Sequence, residues 1–379
     1  MTGRLASMLH NVSWAAVAVV VASFTFALIA AEIGFRLVLP QVFDVHPRGM
    51  YSVDEAVGYV LTPGFNGVLE RAEFSHPVET NVLGLRGAEP RPRQANTFRI
   101  VCLGDSFTWG FGVLTSETFA ARLERILADK YPALDVQVLN AGVPGYGTAD
   151  QLHFLESRSA LLDPDLVLVQ FLPETDFMEN RRPAKGAFEP QDGWLVLKAD
   201  AVDPTEIQPA WHRALAWAKR QSHVLAFVSE RVGYLAMRSG LLPQRALTRA
   251  HDFDEDDARL AVDLLRNVAR TADALGAAAI FVFSPGQAPV LSDDTSNLPS
   301  ASTVVAGAAQ EAGAGFIDLT GPLRDHPDRL NLYYPVDGHW SATGHAAVAD
   351  SLSEYIGEHV LDAAQESTGH NRDVNDRSL

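Results

Sequence analysis

The chain has 379 residues, 47% of them hydrophobic and 20% charged, and a formal net charge of −17. That length allows one large domain or two small ones with a substantial core, and the composition is globular rather than disordered. The negative charge argues against nucleic-acid binding, which needs basic surface to displace the counterions of phosphates.

In chain order, residues 1–10 form a short leader. From Asn11 to Ala31 there is no charged residue, and Val, Ala, Phe, Leu and Ile dominate. Such a run meets the requirement of about 20 residues for crossing a bilayer. A secretory signal peptide would have a shorter apolar core, about 7–15 residues, before a small-x-small cleavage site. Ile29-Ala30-Ala31 is only a marginal site, so 11–33 reads as an uncleaved, single-pass membrane anchor. Arg4 lies on one side and Arg36 and Arg48 on the other, and this count does not set the orientation. The leader has no visible job of its own outside the cell, which favours an extracytoplasmic C-terminal domain. Residues 34–96, rich in Pro, Gly and Arg, read as a small β-rich membrane-proximal segment with turns around Thr80–Gly87.

Between 97 and 362, apolar strand runs alternate with amphipathic stretches. Strands are expected at 98–103, 136–139, 166–171, 278–283 and 315–319. Helices are expected at 118–130, 149–161, 258–275, 302–312 and 341–356, with three-to-four spacing such as Phe119, Leu123, Ile126 and Leu127. The alternation predicts an α/β fold: a flavodoxin-like three-layer α/β/α arrangement around a five-stranded parallel sheet. Residues 178–255 interrupt it, far beyond an ordinary connection of about 2–6 residues. They contain Trp194, Trp211 and Trp217 and a helical stretch over 211–237. This insertion reads either as a cover over the active-site face, shaping an acceptor groove, or as a helical hairpin padding the sheet edge. The polar tail 363–379 reads as disordered. Cys102, the one cysteine, falls within a strand run and is expected to be a buried structural thiol.

Phe98-Arg-Ile-Val-Cys-Leu-Gly-Asp-Ser-Phe-Thr-Trp-Gly110 delivers an apolar strand into a Gly-Asp-Ser turn. A serine there, ahead of a helix, sits where parallel sheets present nucleophiles. Far downstream, Pro335-Val-Asp-Gly-His-Trp-Ser341 supplies Asp337 and His339. Ser106, Asp337 and His339 thus make a candidate nucleophile, orienter and base. Taken singly, each has a plainer reading: Ser106 as a helix cap, His339 as a surface loop residue, Asp337 as the cap of the helix near Ser341. Thr108 stands where a Gly-x-Ser-x-Gly elbow has its second glycine, which disfavours an ordinary α/β-hydrolase. Asp105 adjoins the serine and is expected to fix the loop through backbone bonds. Asp337, His339 and His345 could be drawn as metal ligands, but no fourth ligand stands at a recognisable spacing, so neither metal nor cofactor is expected.

These residues resemble the SGNH/GDSL hydrolase family. Gly104-Asp105-Ser106 matches its first block, Asn140-Ala-Gly142 its second, and Asp337 with His339 its last. The third block normally carries Asn-Asp, and here Thr175-Asp176 stands in its place. The short Asp-x-His form followed by Trp340 resembles the membrane-associated polysaccharide O-acetyltransferase branch more than the secreted lipases. The resemblance implies an acyl-serine intermediate on Ser106 and an oxyanion hole from the Ser106 and Gly142 amides plus a third donor. Thr175 occupies that third position; its hydroxyl can donate but is shorter than an asparagine amide. Losing one such donor can cost roughly 10²–10³ in rate, unless Asn180 or a residue of the insertion reaches in. The implied activity is a membrane-anchored serine esterase or O-acyltransferase, with carbohydrate esters favoured over lipid esters. Two alternatives stay open: a catalytically silent SGNH fold that binds cell-envelope glycan, and a lysophospholipase or thioesterase.

Overall fold

The computed structural model describes residues 13–39, 41, 46–71, 73–181, 188–191, 194–197, 210–239, 241, 253–291 and 298–362. Helix α1 (Trp14–Val38) is followed by two hairpins, β1 (Tyr51–Asp54) with β2 (Gly58–Leu61) and β3 (Asn66–Glu70) with β4 (Ser75–Glu79). The alternating part begins with β5 (Thr97–Leu103), α2 (Ser106–Trp109), α3 (Phe119–Lys130) and β6 (Asp135–Asn140). Next come α4 (Thr148–Leu162), β7 (Leu166–Phe171) and α5 (Asp176–Asn180). A short hairpin, β8 (Phe188–Gln191) with β9 (Trp194–Leu197), precedes α6 (Ala210–Gln221) and α7 (His223–Arg238). The chain then runs through α8 (Glu255–Ala274), β10 (Ala278–Phe283), α9 (Gln287–Leu291), α10 (Leu298–Ala312), β11 (Gly315–Asp318), α11 (Thr320–Arg324) and α12 (Ala342–Ile356).

The five long-range strands form one parallel sheet in the order β11-β10-β7-β5-β6, the doubly wound order expected. Strand β5 is apolar almost throughout because a central parallel strand is buried on both faces. Its residues divide accordingly. Val101 and Leu103 join Val167, Val169, Phe281 and Phe283 in one core, under α4, α8 and α10. Ile100 and Cys102 join Leu166, Leu168, Ile280 and Val282 in the other, under α3 and α12. Helix α8 shows why these stretches are helical: Ala261, Leu265, Val268 and Ala272 recur on one buried face, and Asp254 with Asp257 closes a capping box at its start. Cys102 is buried, and burial pushes its thiol well above the usual range.

Residues 46–96 are built into the first of these cores. Met50, just before β1, and Tyr59, Leu61, Leu69, Phe74 and Val78 from the two hairpins are buried in it. The Tyr59 hydroxyl donates to the Pro144 carbonyl at 2.7 Å, and Arg158 pairs with Asp54 at 2.6 Å. The layer is thus held by both apolar burial and polar contacts to the loop after β6 and to helix α4.

Helices α1, α6 and α7 form a compact unit of their own. The helical stretch expected at 211–237 is two helices, and what α7 touches is the N-terminal helix, with Phe35 and Phe227 ring centroids 5.1 Å apart. At about 1.5 Å per residue, the 25 residues of α1 are long enough to cross a bilayer. It is the one helix among the described residues that is both long and apolar enough. The expected leader and polar tail lie outside the described residues, as do the side chains of Trp194 and Trp211.

Candidate active site

The loops leaving β5, β6, β7 and the segment before α12 converge at the carboxyl ends of the strands, beside the point where strand order reverses. Ser106 opens the four-residue helix α2, so its N–H has no carbonyl within the helix to bond. Asp105 caps that helix by accepting the Phe107 N–H at 2.8 Å. The hydroxyl of Ser106 lies 2.7 Å from Nε2 of His339, across 233 positions of chain, and Nδ1 of the same ring lies 2.6 Å from Oδ1 of Asp337. The Asp337 and His339 side chains are 17% and 13% exposed, largely shielded from water.

Asp337 reaches His339 because Gly338 between them has φ +86°, a left-handed turn that a side chain would strain. The turn is closed by Gly338 N–H donating to Tyr334 O (3.0 Å) and Tyr334 N–H donating to His339 O (2.9 Å). The imidazole is flanked by Phe107 and Phe111, with centroids 4.8 and 4.6 Å away. Trp340, next in the chain, is a core anchor. It is buried, edge-on to Phe107 at 4.9 Å, and keeps the His339 loop against the Ser106 turn.

Three residues unremarked in the sequence hold this geometry. The guanidinium of Arg86 is buried and donates to the carbonyls of Trp109, Gly110 and Val113, capping the end of α2 while stacking over the Trp109 ring at 4.6 Å. Gln170, a polar residue inside an otherwise apolar strand, accepts from the Thr108 hydroxyl at 2.8 Å and ties the turn to β7. Glu73, beyond the end of β3, accepts the Val336 N–H at 3.1 Å and the Asp337 N–H at 2.6 Å. A lone arginine after an apolar leucine and a glutamine within a strand run were visible hints. Glu73 carried no signal, because only the folded chain brings it to the loop of Asp337.

The expected oxyanion donors are placed unequally. A Cβ on Gly142 would come within 2.4 Å of the Trp109 nitrogen, so this glycine lets α2 pack closely. Its N–H already donates to Asn140 Oδ1 at 3.1 Å, and Asn140 Nδ2 in turn donates to the Thr108 carbonyl at 2.8 Å. Gly142 is therefore a shared donor at best. Thr175 stands just before α5 without capping it through its side chain, and its N–H donates to the Leu172 carbonyl. No hydrogen bond joins Thr175 to Ser106 or His339. Asn180 is engaged elsewhere, its Oδ1 accepting from the Ala149 N–H at 3.2 Å. His345 packs into the core, its Nδ1 accepting the Phe119 N–H at 3.1 Å, and burial holds it well below the usual histidine range.

Beneath the site lies a set of buried acids. Burial pushes the Asp105 carboxyl up to about 6, against hydrogen bonding and the nearby His339. Burial likewise raises Glu174 to about 7 and, with Asp105 as a neighbouring charge, Glu179 to about 8. Glu174 Oε1 accepts the Gly286 N–H at 2.8 Å, latching the loop after β10 to the loop after β7.

With this geometry in hand, two family models match the chain. One, described as the GDSL-like lipase/acylhydrolase family, covers residues 102–171, which hold Ser106 and Gly142. The other, described as the SGNH hydrolase-like domain of the acetyltransferase AlgX, covers 241–377, which hold Asp337 and His339. In these two segments the chain is similar to SGNH/GDSL-type domains. No curated protein matches it. Among solved structures, TesA shares 16% identity over 68% of this chain and 97% of its own, with a TM-score of 0.39. A two-domain esterase active on acetylated mannans shares 13%, over 69% of this chain and half of its own, at 0.40. An acetylxylan esterase of Geobacillus stearothermophilus shares 15%, over 69% and 94%, at 0.39.

Two predictions follow from the supporting contacts. Replacing Glu73 by Ala strands two backbone N–H groups of the Asp337 loop. A fluorophosphonate should then label Ser106 about tenfold more slowly, and Glu73→Gln, which keeps one acceptor oxygen, should recover most of the rate. Unchanged labelling in Glu73→Ala would show the contact to be incidental. The second concerns pH. A carboxyl whose folded value is raised binds more protons when folded, so its contribution falls as pH rises from about 4.5 through about 7 for Glu174. Glu174→Gln removes that loss while keeping the acceptor for Gly286. Between pH 5 and pH 8 the wild type should lose several degrees more in Tm than the variant, at about 2–4 °C per kcal/mol. Parallel Tm–pH curves would refute the assignment.

Proposed function

We propose that the protein is a membrane-anchored, extracytoplasmic serine esterase or O-acyltransferase that works through an acyl group carried on Ser106. The observation that carries this reading is the continuous relay from the Ser106 hydroxyl to His339 Nε2 at 2.7 Å and from His339 Nδ1 to Asp337 at 2.6 Å. A serine hydroxyl is a poor nucleophile until its proton has an acceptor. As Ser106 Oγ attacks the ester carbonyl, His339 Nε2 takes its proton, and Asp337 holds the ring and stabilises the imidazolium. Collapse of the tetrahedral intermediate breaks the ester C–O bond, and His339 returns the proton to the departing alkoxide. In the second half, His339 deprotonates water or an acceptor hydroxyl, which attacks the acyl carbonyl and releases Ser106 Oγ with its proton restored. The negative oxygen of each intermediate would be met by the Ser106 N–H, with Gly142 sharing its N–H and Thr175 the remaining candidate.

Transfer to an acceptor hydroxyl is favoured because residues 241–377, which hold Asp337 and His339, match the domain model of an acetyltransferase, and a carbohydrate is the acceptor that the family resemblance implies. The Asp-x-His-Trp segment lies within that match. Hydrolysis and transfer share every step up to the acyl-enzyme, and the acceptor alone separates them.

The test uses the full-length protein in detergent with p-nitrophenyl acetate. Ser106→Ala should lower kcat by about 10³ or more, and Asp337→Asn by about 10²–10⁴. Added oligosaccharide should divert acetyl from water to sugar. If Ser106→Ala matches the wild type and the wild type resists a fluorophosphonate, the fold is a glycan-binding one without covalent chemistry.

A further inference from the structure

The junction between α6 and α7 is pinned to the last turns of α1. The Glu32 carboxylate, one residue past the charge-free run, accepts from the Ser222 hydroxyl at 2.8 Å and from the His223 and Val224 N–H groups at 3.0 and 3.2 Å. Arg36 pairs with Glu32 at 2.8 Å and donates to the Gln221 carbonyl at 2.9 Å. The Gln41 N–H donates to His223 Nδ1 at 2.7 Å. A helix that starts here is tied to the end of the candidate membrane span.

From that start α7 carries an outward apolar stripe. Val228, Val232 and Leu235, spaced i, i+4 and i+7, are 47%, 58% and 61% exposed, and Trp217 on α6 is 66% exposed. Large apolar groups gathered on one exposed face are uncommon on a surface that meets only water. The charge here is also opposite to that of the whole chain. Between residues 210 and 241 stand Arg213, Lys219, Arg220, Arg231 and Arg238 against the single acid Glu230, within a chain of net charge −17.

We propose that the α6–α7 hairpin is an interfacial membrane element. It lies at the bilayer surface beside α1, with Val228, Val232, Leu235 and Trp217 at the headgroup–acyl boundary and Lys219, Arg231 and Arg238 on anionic lipid headgroups. Four features together support a bilayer as the occupant: attachment to the end of the span, the apolar stripe, a tryptophan of the kind that settles at interfaces, and a locally reversed charge. This rests on the reading of α1 as a membrane span. It adds a second contact that limits rotation of the unit about the α1 axis.

The test places single added cysteines in the full-length protein, leaving Cys102 in place because it is buried. The positions are Val232→Cys and Leu235→Cys on the stripe, Glu230→Cys on the opposite face, and Phe24→Cys within α1. Each carries an environment-sensitive fluorophore and is reconstituted into vesicles of phosphatidylcholine with 30% phosphatidylglycerol, with brominated acyl chains as quencher. Labels at 232 and 235 should be quenched at least twofold more than the label at 230, and replacing phosphatidylglycerol by phosphatidylcholine should weaken that difference but not quenching at 24. Quenching at 24 with 232 and 235 no different from 230 would overturn the interfacial hairpin and leave the span standing. Absence of quenching at 24 would remove the span, and the hairpin proposal with it. Equal quenching in both lipid mixtures would overturn the role given to the basic residues.

Discussion

The placing of Ser106 against His339 and Asp337 depends on the backbone of a very short helix. The Ser106 carbonyl accepts the Gly110 and Phe111 N–H groups, but Thr108 and Trp109 are buried where water cannot serve them, and their carbonyls need donors from outside the helix. Arg86 and Asn140 supply the missing donors, Asp105 caps the other end, and Gly142 leaves room for the helix to press against the loop after β6. If any of these is removed, a buried polar group is left unpaired or the turn must shift, and a hydroxyl 2.7 Å from its base tolerates little shift.

The residues that do this come from segments with different roles in the fold. Asn140 and Gln170 are the ends of sheet strands, so sheet register positions them directly. Arg86 and Glu73 come from the layer before the sheet. Arg86 holds the backbone on the Ser106 side and Glu73 that on the Asp337 side, so residues of the 46–96 segment brace both. Their apolar residues sit in the same core as the central strands, which makes this support rigid.

The buried acids at the sheet end describe an energetic compromise. Raised carboxyls such as Glu174 and Glu179 cost stability when charged, yet Glu174 accepts a backbone N–H that links the loops after β7 and β10. Groups of this kind are commonly kept where position matters more than folding energy.

The amino-acid sequence by itself determined the sheet, its helices and the chemical trio. Period and composition mark a buried parallel strand or an amphipathic helix locally, and Gly104-Asp105-Ser106 and Asp337-Gly338-His339 are local motifs. The match of β7 and β10 to their expected bounds, and of α3 within one residue, reflects that local origin. Tertiary structure alone decided how the trio is held. Glu73 and Arg86 act on backbone groups far along the chain, and the Gly142 amide turned out to be engaged with Asn140. Helices α6 and α7 found their partner in α1 through a carboxylate nearly two hundred residues away. Such contacts join polar groups that pattern treats as ordinary surface residues, and burial gives them their role only after the chain has closed.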